Sequence, residues 1–244
     1  MILELASVSR RFGGLHAVRD VSFALAPGEV VGLIGPNGAG KTTIVNLVTG
    51  VHPVSAGRIS FEGRRVDGLR SHRIARLGVA RTFQVVQPFP DMSVLDNVAA
   101  GALFAGGAEG LAAARRRALE HLEFVGLAGR AEAPAAALTL AGRKRLELAK
   151  SLAMNPRLLL LDEVNAGLNP TEIDEALRLI QALAARGITI LLIEHLMKVV
   201  IGLCSRVIVL HHGELIADGP PAAVVQDPAV VEAYLGSRFA RGAP

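Results

Sequence analysis

A glycine-rich turn near the start of the chain has the residue types that hold a polyphosphate. The stretch Gly35-Pro36-Asn37-Gly38-Ala39-Gly40-Lys41-Thr42-Thr43 fits the spacing G-x-x-x-x-G-K-[ST]. Glycines let successive backbone N–H groups curve around phosphate oxygens, and the N-terminus of a following helix adds favourable partial charge. Lys41 can reach the β- and γ-phosphates of a nucleotide, and the Thr42 hydroxyl can bind Mg²⁺. The pattern therefore predicts a phosphate-binding loop.

The segments on either side of this turn support that prediction. The apolar run Val30-Val31-Gly32-Leu33-Ile34 precedes it, and the residues from Lys41 to Thr49 form a plausible helix. A strand, a loop and a helix in this order are what a phosphate-binding loop requires. The alternative is a glycine-rich turn that simply precedes a helix.

Two acidic residues follow a second apolar run. Leu158-Leu159-Leu160-Leu161 is typical of a strand buried on both faces in a parallel sheet, and Asp162 and Glu163 come directly after it. Asp162 could hold Mg²⁺, directly or through water, and Glu163 could polarise the water that attacks a phosphate. The alternative is a strand that simply ends in polar residues.

Two more polar residues end candidate strands. Gln84 ends a strand predicted from Val79 to Phe83 and could contact both Mg²⁺ and water. His195 follows a strand predicted from Ile190 to Ile193, where its side chain could meet a γ-phosphate. Either could equally be an ordinary polar residue, and the residue types alone do not decide between the two roles.

Composition limits the class of protein. The chain has 244 residues, of which 51% are hydrophobic and only 4% aromatic, so a large core must be built from aliphatic side chains. The apolar runs are shorter than the roughly 20 residues of a membrane span, and the N-terminus lacks the apolar region of a signal peptide. We therefore expect a cytoplasmic protein. The single cysteine, Cys204, excludes an internal disulfide and a multi-cysteine metal site, and we expect an inert core residue.

The basic residues are spread along the chain. The net charge is +4, and the only basic triplets are residues 115–117 and 143–145. Solvated helix faces are the favoured interpretation of both triplets, and charge alone gives little support to nucleic-acid binding.

The order of predicted elements is that of an α/β protein with a helical insertion. Residues 1–66 alternate short β-like runs with turns, and strand–helix alternation returns after Pro156. From about Met92 to Asn155 the pattern is helical and alanine-rich, with apolar residues at helical spacing: Leu111, Ala114, Ala118, Leu122 and Val125. We predict a single domain with three parts. Residues 1–91 and 156–220 form a nucleotide-binding core with a β subdomain, and residues 92–155 form a helical subdomain. Residues 221–244 form a C-terminal helix and tail.

Two helices in the second half have clear end signals. Asn169-Pro170-Thr171-Glu172 offers an N-cap, a proline at the first helical position and an acid at the third, and Gly187 ends that helix. In the last helix Asp227 is the cap, Pro228 the first residue and Gly236 the end.

Taken in order, these motifs resemble those of ATP-binding-cassette ATPases, from Phe12 to Gly236. The matching segments are Arg11-Phe12-Gly13-Gly14-Leu15, the phosphate-binding loop (Walker A), Arg81-Thr82-Phe83-Gln84, a signature region, the strand with Asp162 and Glu163 (Walker B), and Glu194-His195. The chain is more closely similar to the ATPases of branched-chain amino acid importers, through Phe12-Gly13-Gly14-Leu15, Arg81-Thr82-Phe83-Gln84, Ala166-Gly167-Leu168-Asn169-Pro170 and Ala233-Tyr234-Leu235-Gly236.

The resemblance implies a fold and further site residues. The fold would be a P-loop NTPase (RecA-like) core with an antiparallel β subdomain and an inserted α-helical subdomain. Phe12 would stack on the adenine, and Val18 would pack near the ribose. Gln84 would begin the Q-loop, which links the nucleotide to the membrane partner, and His195 would be the switch histidine.

Three segments depart from the family pattern. The signature is usually L-S-x-G-Q, and here it is Leu138-Thr139-Leu140-Ala141-Gly142. Thr139 keeps a hydroxyl and Ala141 keeps a backbone N–H. In the family these groups bind the γ-phosphate held by the opposite subunit. The glutamine of the usual signature is missing here. Val164 replaces a proline, and Asn169 stands where many relatives have an aspartate, which favours its role as a helix cap over a catalytic one.

The function implied by the resemblance is that of an ATP-hydrolysing transporter subunit. It would use ATP and Mg²⁺, pair with an identical or related ATPase subunit, and act on two membrane permeases and indirectly on a solute-binding protein. It would lie on the inner face of the cell membrane without nucleic acid as a partner. One alternative is a soluble cassette ATPase acting on nucleic acid, although this chain has one cassette and no long coiled-coil insertion. Another is a P-loop kinase or GTPase, although no N-K-x-D segment is present.

Overall fold

Strands and helices alternate along the chain in the order that the apolar patterns predict. The computed structural model describes residues 1–83 and 86–235. Within them the strands are β1 (Leu3–Phe12), β2 (Leu15–Leu25), β3 (Val30–Ile34), β4 (Ala56–Phe61), β5 (Arg64–Arg65), β6 (Val79–Arg81), β7 (Leu158–Asp162), β8 (Thr189–Ile193), β9 (Arg206–His211) and β10 (Glu214–Gly219). The helices are α1 (Lys41–Val48), α2 (Ser71–Arg76), α3 (Val94–Phe104), α4 (Leu111–Phe124), α5 (Leu140–Ala153), α6 (Pro170–Ala185), α7 (Met197–Leu203), α8 (Pro221–Val224) and α9 (Pro228–Leu235).

The chain divides into two units. The first comprises residues 1–71 together with the chain from residue 189 onward, and the second comprises residues 72–188. The boundaries predicted for the core, the helical subdomain and the tail stay a prediction.

The first unit contains an antiparallel sheet with strand order β2-β1-β4-β5. β1 and β2 pair with Leu3 opposite Leu25 and Leu5 opposite Phe23, and all four side chains are buried. Both strands run beyond the apolar segments seen in the sequence, because register shifts after Leu5 carry the pairing into a more polar stretch. This sheet is the expected antiparallel β part of the fold.

The first unit also contains parallel strands that carry the phosphate-binding loop. β3 lies between β8 and β9 and is parallel to both, and β10 pairs with β9 in the antiparallel direction. Every residue of β3 and β8 is buried. These apolar runs therefore form strands covered on both faces, as the sequence predicts.

The second unit combines a parallel strand pair with helices. β6 pairs with β7, with Val79 opposite Leu158. Between these strands the described residues form helices α3, α4 and α5, which pack on one another, and two short 3₁₀ turns. On α4 the predicted apolar face is buried except at Leu111, which is 59% exposed because it is the first residue of the helix.

The predicted end signals of α6 are confirmed. Asn169 Oδ1 accepts a hydrogen bond from the Glu172 N–H at 3.0 Å, and Glu172 Oε2 accepts from the Asn169 N–H at 2.9 Å. Gly187 follows the helix at a positive φ of 81°. On α9, Asp227 Oδ1 accepts from the Ala229 N–H at 2.8 Å, whereas Gly236 lies outside the described residues. Among the described helices, none is long and apolar enough to cross a membrane.

Candidate functional site

The glycine-rich turn between β3 and α1 has a backbone that requires glycine at two positions. Gly35 has a φ of 146° and Gly40 a φ of 105°. A Cβ at residue 35 would lie 2.1 Å from the Leu210 carbonyl oxygen, and a Cβ at residue 40 would lie 2.6 Å from the Ala17 carbonyl oxygen. Side chains at these positions would therefore clash with neighbouring backbone as well as strain the turn.

The first residues of α1 present donors around this turn. Gly40 occupies the N-cap position without a side-chain cap, so the first N–H groups of α1 stay available for an anion. Lys41 Nζ donates to the Gly35 carbonyl at 2.7 Å and to the Pro36 carbonyl at 2.9 Å, so its ammonium group lies over its own loop. The Thr42 side chain is exposed. These groups give the loop the donors that the predicted phosphate-binding role requires.

Neighbouring elements of the first unit hold the loop in place. The Gly213 N–H donates to the Ala39 carbonyl at 3.1 Å, and the Arg19 N–H donates to the Gly213 carbonyl at 2.8 Å. Tyr234 on α9 lies near enough to the Gly35 backbone for that backbone to affect its pKa. Burial raises the pKa of Tyr234, and the Gly35 backbone partly offsets that rise. The loop is thus tied to the β9–β10 turn and, through that turn, to β2.

The two residues expected at the base and ribose differ in accessibility. Phe12 is 38% exposed at the end of β1, with its ring edge-on to His52 at 5.2 Å and the Arg10 guanidinium 4.4 Å from its centre. Val18 is fully buried, and its side chain lies 3.5 Å from where a Cβ of Gly40 would be. Phe12 is partly accessible, with the Arg10 guanidinium over its ring, whereas Val18 supports the loop from beneath.

The acidic pair lies at the end of β7 in the second unit. Asp162 is 3% exposed, and its Oδ2 is 3.4 Å from Nη2 of Arg81. The Asp162 N–H donates to Thr82 Oγ1 at 3.1 Å. Glu163 has a φ of 48°, an uncommon value for a residue other than glycine, and its carbonyl accepts from Lys144 Nζ at 3.1 Å. The strand end therefore holds one buried carboxylate and one that is half-buried on a strained turn.

The signature region begins α5. Thr139 is the N-cap, and its Oγ1 accepts from the Gly142 N–H at 3.2 Å. Leu140, the first helical residue, is 49% exposed, and Ala141 is half-buried. The hydroxyl and the N–H groups named in the sequence therefore lie together at an accessible helix start.

The interpretation of residues 143–145 as a solvated helix face is wrong. Arg143 donates to the Leu138 and Ala136 carbonyls at 3.0 and 2.9 Å. Lys144 donates to the Glu163 carbonyl, and Arg145 pairs with Glu175 on α6. These side chains link α5 to neighbouring segments, because long basic side chains can cover apolar surface while their charged ends reach backbone or carboxylate oxygens.

The residues after β8 differ sharply in burial. Glu194 is 1% exposed, whereas His195 is exposed.

Cys204 is buried, and desolvation, helped by the charge of Glu194, raises its pKa to about 12. Its thiol is therefore protonated, so the expectation of an inert core cysteine is confirmed.

Comparison with known proteins decides the family. A family model described as ABC transporter matches residues 18–166, and a model described as Branched-chain amino acid ATP-binding cassette transporter matches residues 214–240. The chain belongs to the ABC transporter family. The high-affinity branched-chain amino acid transport ATP-binding protein BraF of Pseudomonas aeruginosa is 39% identical over 96% of this chain and 98% of its own length. The corresponding protein LivG of Escherichia coli K12 is 40% identical over the same shares.

A solved structure supports the same family. The ADP conformation of MJ1267, an ATP-binding cassette of an ABC transporter, superposes with a TM-score of 0.87 at 31% identity, covering 97% of this chain and 99% of that one. The predicted P-loop NTPase fold class, the resemblance to branched-chain amino acid importer ATPases and the ATPase activity are therefore confirmed. As an ABC ATPase, the chain binds and hydrolyses ATP.

The predicted site residues are distributed over both units. The Walker A loop, Phe12 and His195 belong to the first unit. Asp162, Glu163 and the signature residues belong to the second. Gln84 lies outside the described residues, so its predicted place in the Q-loop stays a prediction.

The oxygen donors of this ABC ATPase fit Mg²⁺. No cluster of three or more His, Cys, Asp or Glu side chains suited to a metal occurs in the described residues. Asp162 offers one carboxylate and Thr42 an exposed hydroxyl. Mg²⁺ in nucleotide sites is commonly held by one or two such protein oxygens together with substrate phosphates, so the donor set is adequate.

Two residues next to the Walker B acids received no role from the sequence. Arg81 pairs with Asp162, and Lys144 binds the backbone of Glu163. The parallel pairing of β6 with β7 places Arg81 opposite Leu160, two residues before Asp162. Aligning the two apolar strands in a parallel sheet would have placed Arg81 near Asp162. No sequence pattern predicts the role of Lys144, because Lys144 is on α5 and its partner Glu163 is in a loop distant in the chain.

Proposed function

We propose that this chain is the ATPase that energises import of branched-chain amino acids. The match of residues 214–240 to the branched-chain amino acid cassette model carries the proposal, because that segment lies outside the part shared by ABC ATPases in general. BraF and LivG, both similar over nearly the whole chain, are branched-chain amino acid transport ATP-binding proteins, which supports the same solute class.

The nucleotide is held by residues of the first unit. In the proposed complex the Walker A backbone and Lys41 surround the phosphates, since the loop offers N–H groups and the ammonium already lies over the loop carbonyls. Binding transfers the ammonium group from those carbonyls to the β- and γ-phosphates. Phe12 stacks on the adenine with its exposed ring face, and Val18 keeps the loop in shape near the ribose.

Hydrolysis depends on residues that orient and deprotonate one water molecule and on residues that contact the γ-phosphate. We assign Glu163 as the group that polarises the attacking water and accepts its proton, because its carboxylate is half-buried at the end of β7. His195 contacts the γ-phosphate, and Gln84 orients the water. Bound Mg²⁺, with Thr42, Gln84 and Asp162 as its protein ligands, would neutralise charge on the phosphates.

The working assembly contains further chains. Two ATPase subunits, identical or related, pair head to tail, so that Thr139 and Ala141 of one contact the γ-phosphate bound by the other. The accessible start of α5 supports this role. Two permease subunits anchor the pair at the inner face of the membrane, and a solute-binding protein delivers the amino acid to them. Nucleic acid has no part in this assembly.

Uptake measurements test the solute class. Deletion of the gene in its host is expected to abolish high-affinity uptake of radiolabelled leucine, isoleucine and valine, and a plasmid copy is expected to restore it. Uptake of an unrelated sugar serves as the control. Unchanged uptake of all three amino acids, together with loss of another solute, would contradict the proposal.

The variant Glu163→Gln tests the catalytic assignment in the same strain. Glutamine keeps the shape of the side chain but cannot accept the proton of the attacking water, so uptake should not be restored. Purified Glu163→Gln protein should bind ATP as tightly as the natural chain while its turnover falls at least a hundredfold, the range of general-base catalysis. Undiminished hydrolysis would remove Glu163 from this role.

A further inference from the structure

The Walker B aspartate has a cation at its side in the same unit. Arg81 is the last residue of β6 and Asp162 the last residue of β7, and the parallel pairing of these strands brings their carboxyl ends together. Nη2 of Arg81 lies 3.4 Å from Oδ2 of Asp162. The two side chains are only 11% and 4% exposed, so the pair is largely removed from water.

The backbone around this ion pair is fixed by hydrogen bonds. The Thr82 N–H donates to the Leu160 carbonyl at 2.9 Å, and the Asp162 N–H donates to Thr82 Oγ1 at 3.1 Å. Ser151 Oγ on α5 donates to the Arg81 carbonyl at 3.0 Å. The main chain beside both partners is thereby hydrogen-bonded within this unit.

The guanidinium group of Arg81 lies near both a carboxylate and an aromatic ring. Its distance of 3.4 Å from Asp162 is longer than the 2.7–2.9 Å typical of a charge-assisted hydrogen bond. The guanidinium carbon also lies 4.5 Å from the centre of the Phe83 ring, whose π-face attracts cations. Arg81 therefore has a second favourable contact beside it when it gives up the carboxylate.

We propose that Arg81 is the resting-state counter-ion of Asp162 and competes with the divalent cation for that carboxylate. A buried carboxylate without a nearby cation is costly, so a metal ligand used once per turnover needs a substitute charge between turnovers. Arg81 supplies that charge within the same unit and would release the carboxylate to Mg²⁺ when MgATP binds. The inference rests on the proposed function, because Asp162 has to be a Mg²⁺ ligand.

Competition of this kind predicts a change in the coupling between metal and nucleotide. The ligand is AMP-PNP, an ATP analogue that is not hydrolysed. The quantity to measure is its dissociation constant in EDTA divided by its dissociation constant in excess Mg²⁺. Calorimetric titration of the full chain gives both constants. In Arg81→Met the metal no longer has to displace a cation, so the ratio should rise about tenfold, the size of one charge-assisted contact.

Three further variants separate this effect from a loss of structure. Arg81→Lys keeps the charge and should stay within about threefold of the natural ratio. Arg81→Gln keeps a polar side chain without charge and should raise the ratio as Arg81→Met does, which provides a second readout if the methionine variant fails to fold. Arg206→Met breaks a more exposed Arg–Asp pair in the first unit, with Asp218, and should leave the ratio unchanged.

The outcomes distinguish failure of the inference from failure of the proposed site. In Asp162→Asn the ratio should fall towards one. If it does, and the ratio in Arg81→Met and Arg81→Gln is unchanged or lower, Arg81 is a structural residue or an aid to metal binding, and the competition is refuted. If Asp162→Asn keeps the natural ratio, the assignment of Asp162 as a Mg²⁺ ligand fails, and the role of Arg81 fails with it.

Discussion

At the scale of single residues, the site contains cations that already bind oxygen atoms of the protein. Lys41 donates to two loop carbonyls, and Arg81 pairs with Asp162. Residue types and spacing predict Lys41, because the phosphate-loop pattern fixes its place in the chain. They do not predict the present partners of either side chain, because those depend on loop conformation and strand register, which no local pattern encodes.

Replacement of Lys41 by alanine should weaken nucleotide binding. The variant loses the only charged side chain of the loop, so we expect the dissociation constant for ATP in EDTA to rise tenfold or more, the size of a contact to a charged group. Calorimetric titration measures this constant. Arg64→Ala, which removes an exposed cation from β5 in the same unit, is the matched control. An affinity of Lys41→Ala equal to that of the control would count against the loop assignment.

At the scale of elements, apolar runs and end signals predict the structure unequally well. β3 and β8 follow their apolar runs closely because they are buried on both faces, and α6 follows its cap and its glycine. β1 and β2 extend further than predicted, because cross-strand pairing holds polar residues that have no hydrophobic pattern of their own. Tertiary pairing, rather than local preference, sets the ends of such strands.

The capping box of α6 should make a measurable contribution to stability. Asn169→Ala removes the acceptor of the Glu172 N–H, so the free energy of unfolding should fall by about 1 kcal/mol. Urea denaturation followed by circular dichroism measures the difference. Gln181→Ala, an exposed change within the same helix, should cost less than about 0.5 kcal/mol. Equal effects of the two changes would mean that the cap is unimportant.

At the scale of the whole molecule, each chain has two phosphate-binding segments that act on different nucleotides in the proposed pair. One segment binds the chain's own ATP, and the other contacts the ATP bound by the partner. The Walker A loop lies in one unit and the signature residues Thr139 and Ala141 lie in the other. Sequence motifs identify both segments, since each is a short local pattern. Which copies pair is decided by surfaces formed from residues far apart in the chain, and no short motif describes those surfaces.

Dependence on concentration follows from this division of the site. If each ATP needs residues of two copies, the ATPase activity per milligram should fall steeply when the purified chain is diluted below its dimerisation constant. A coupled phosphate-release assay over a range of protein concentrations measures this, with light scattering to report the oligomeric state. Glu163→Gln should remain inactive at every concentration. A constant specific activity at concentrations where only monomer is found would refute the shared site.

The closeness of Tyr234 to Gly35 has a practical consequence. The chain contains one tyrosine and no tryptophan, so its intrinsic ultraviolet fluorescence comes from that single ring. The ring lies near the first glycine of the Walker A loop. The emission of the unlabelled protein therefore originates near the Walker A loop, and we expect its intensity to change when a nucleotide occupies that loop, without any added dye.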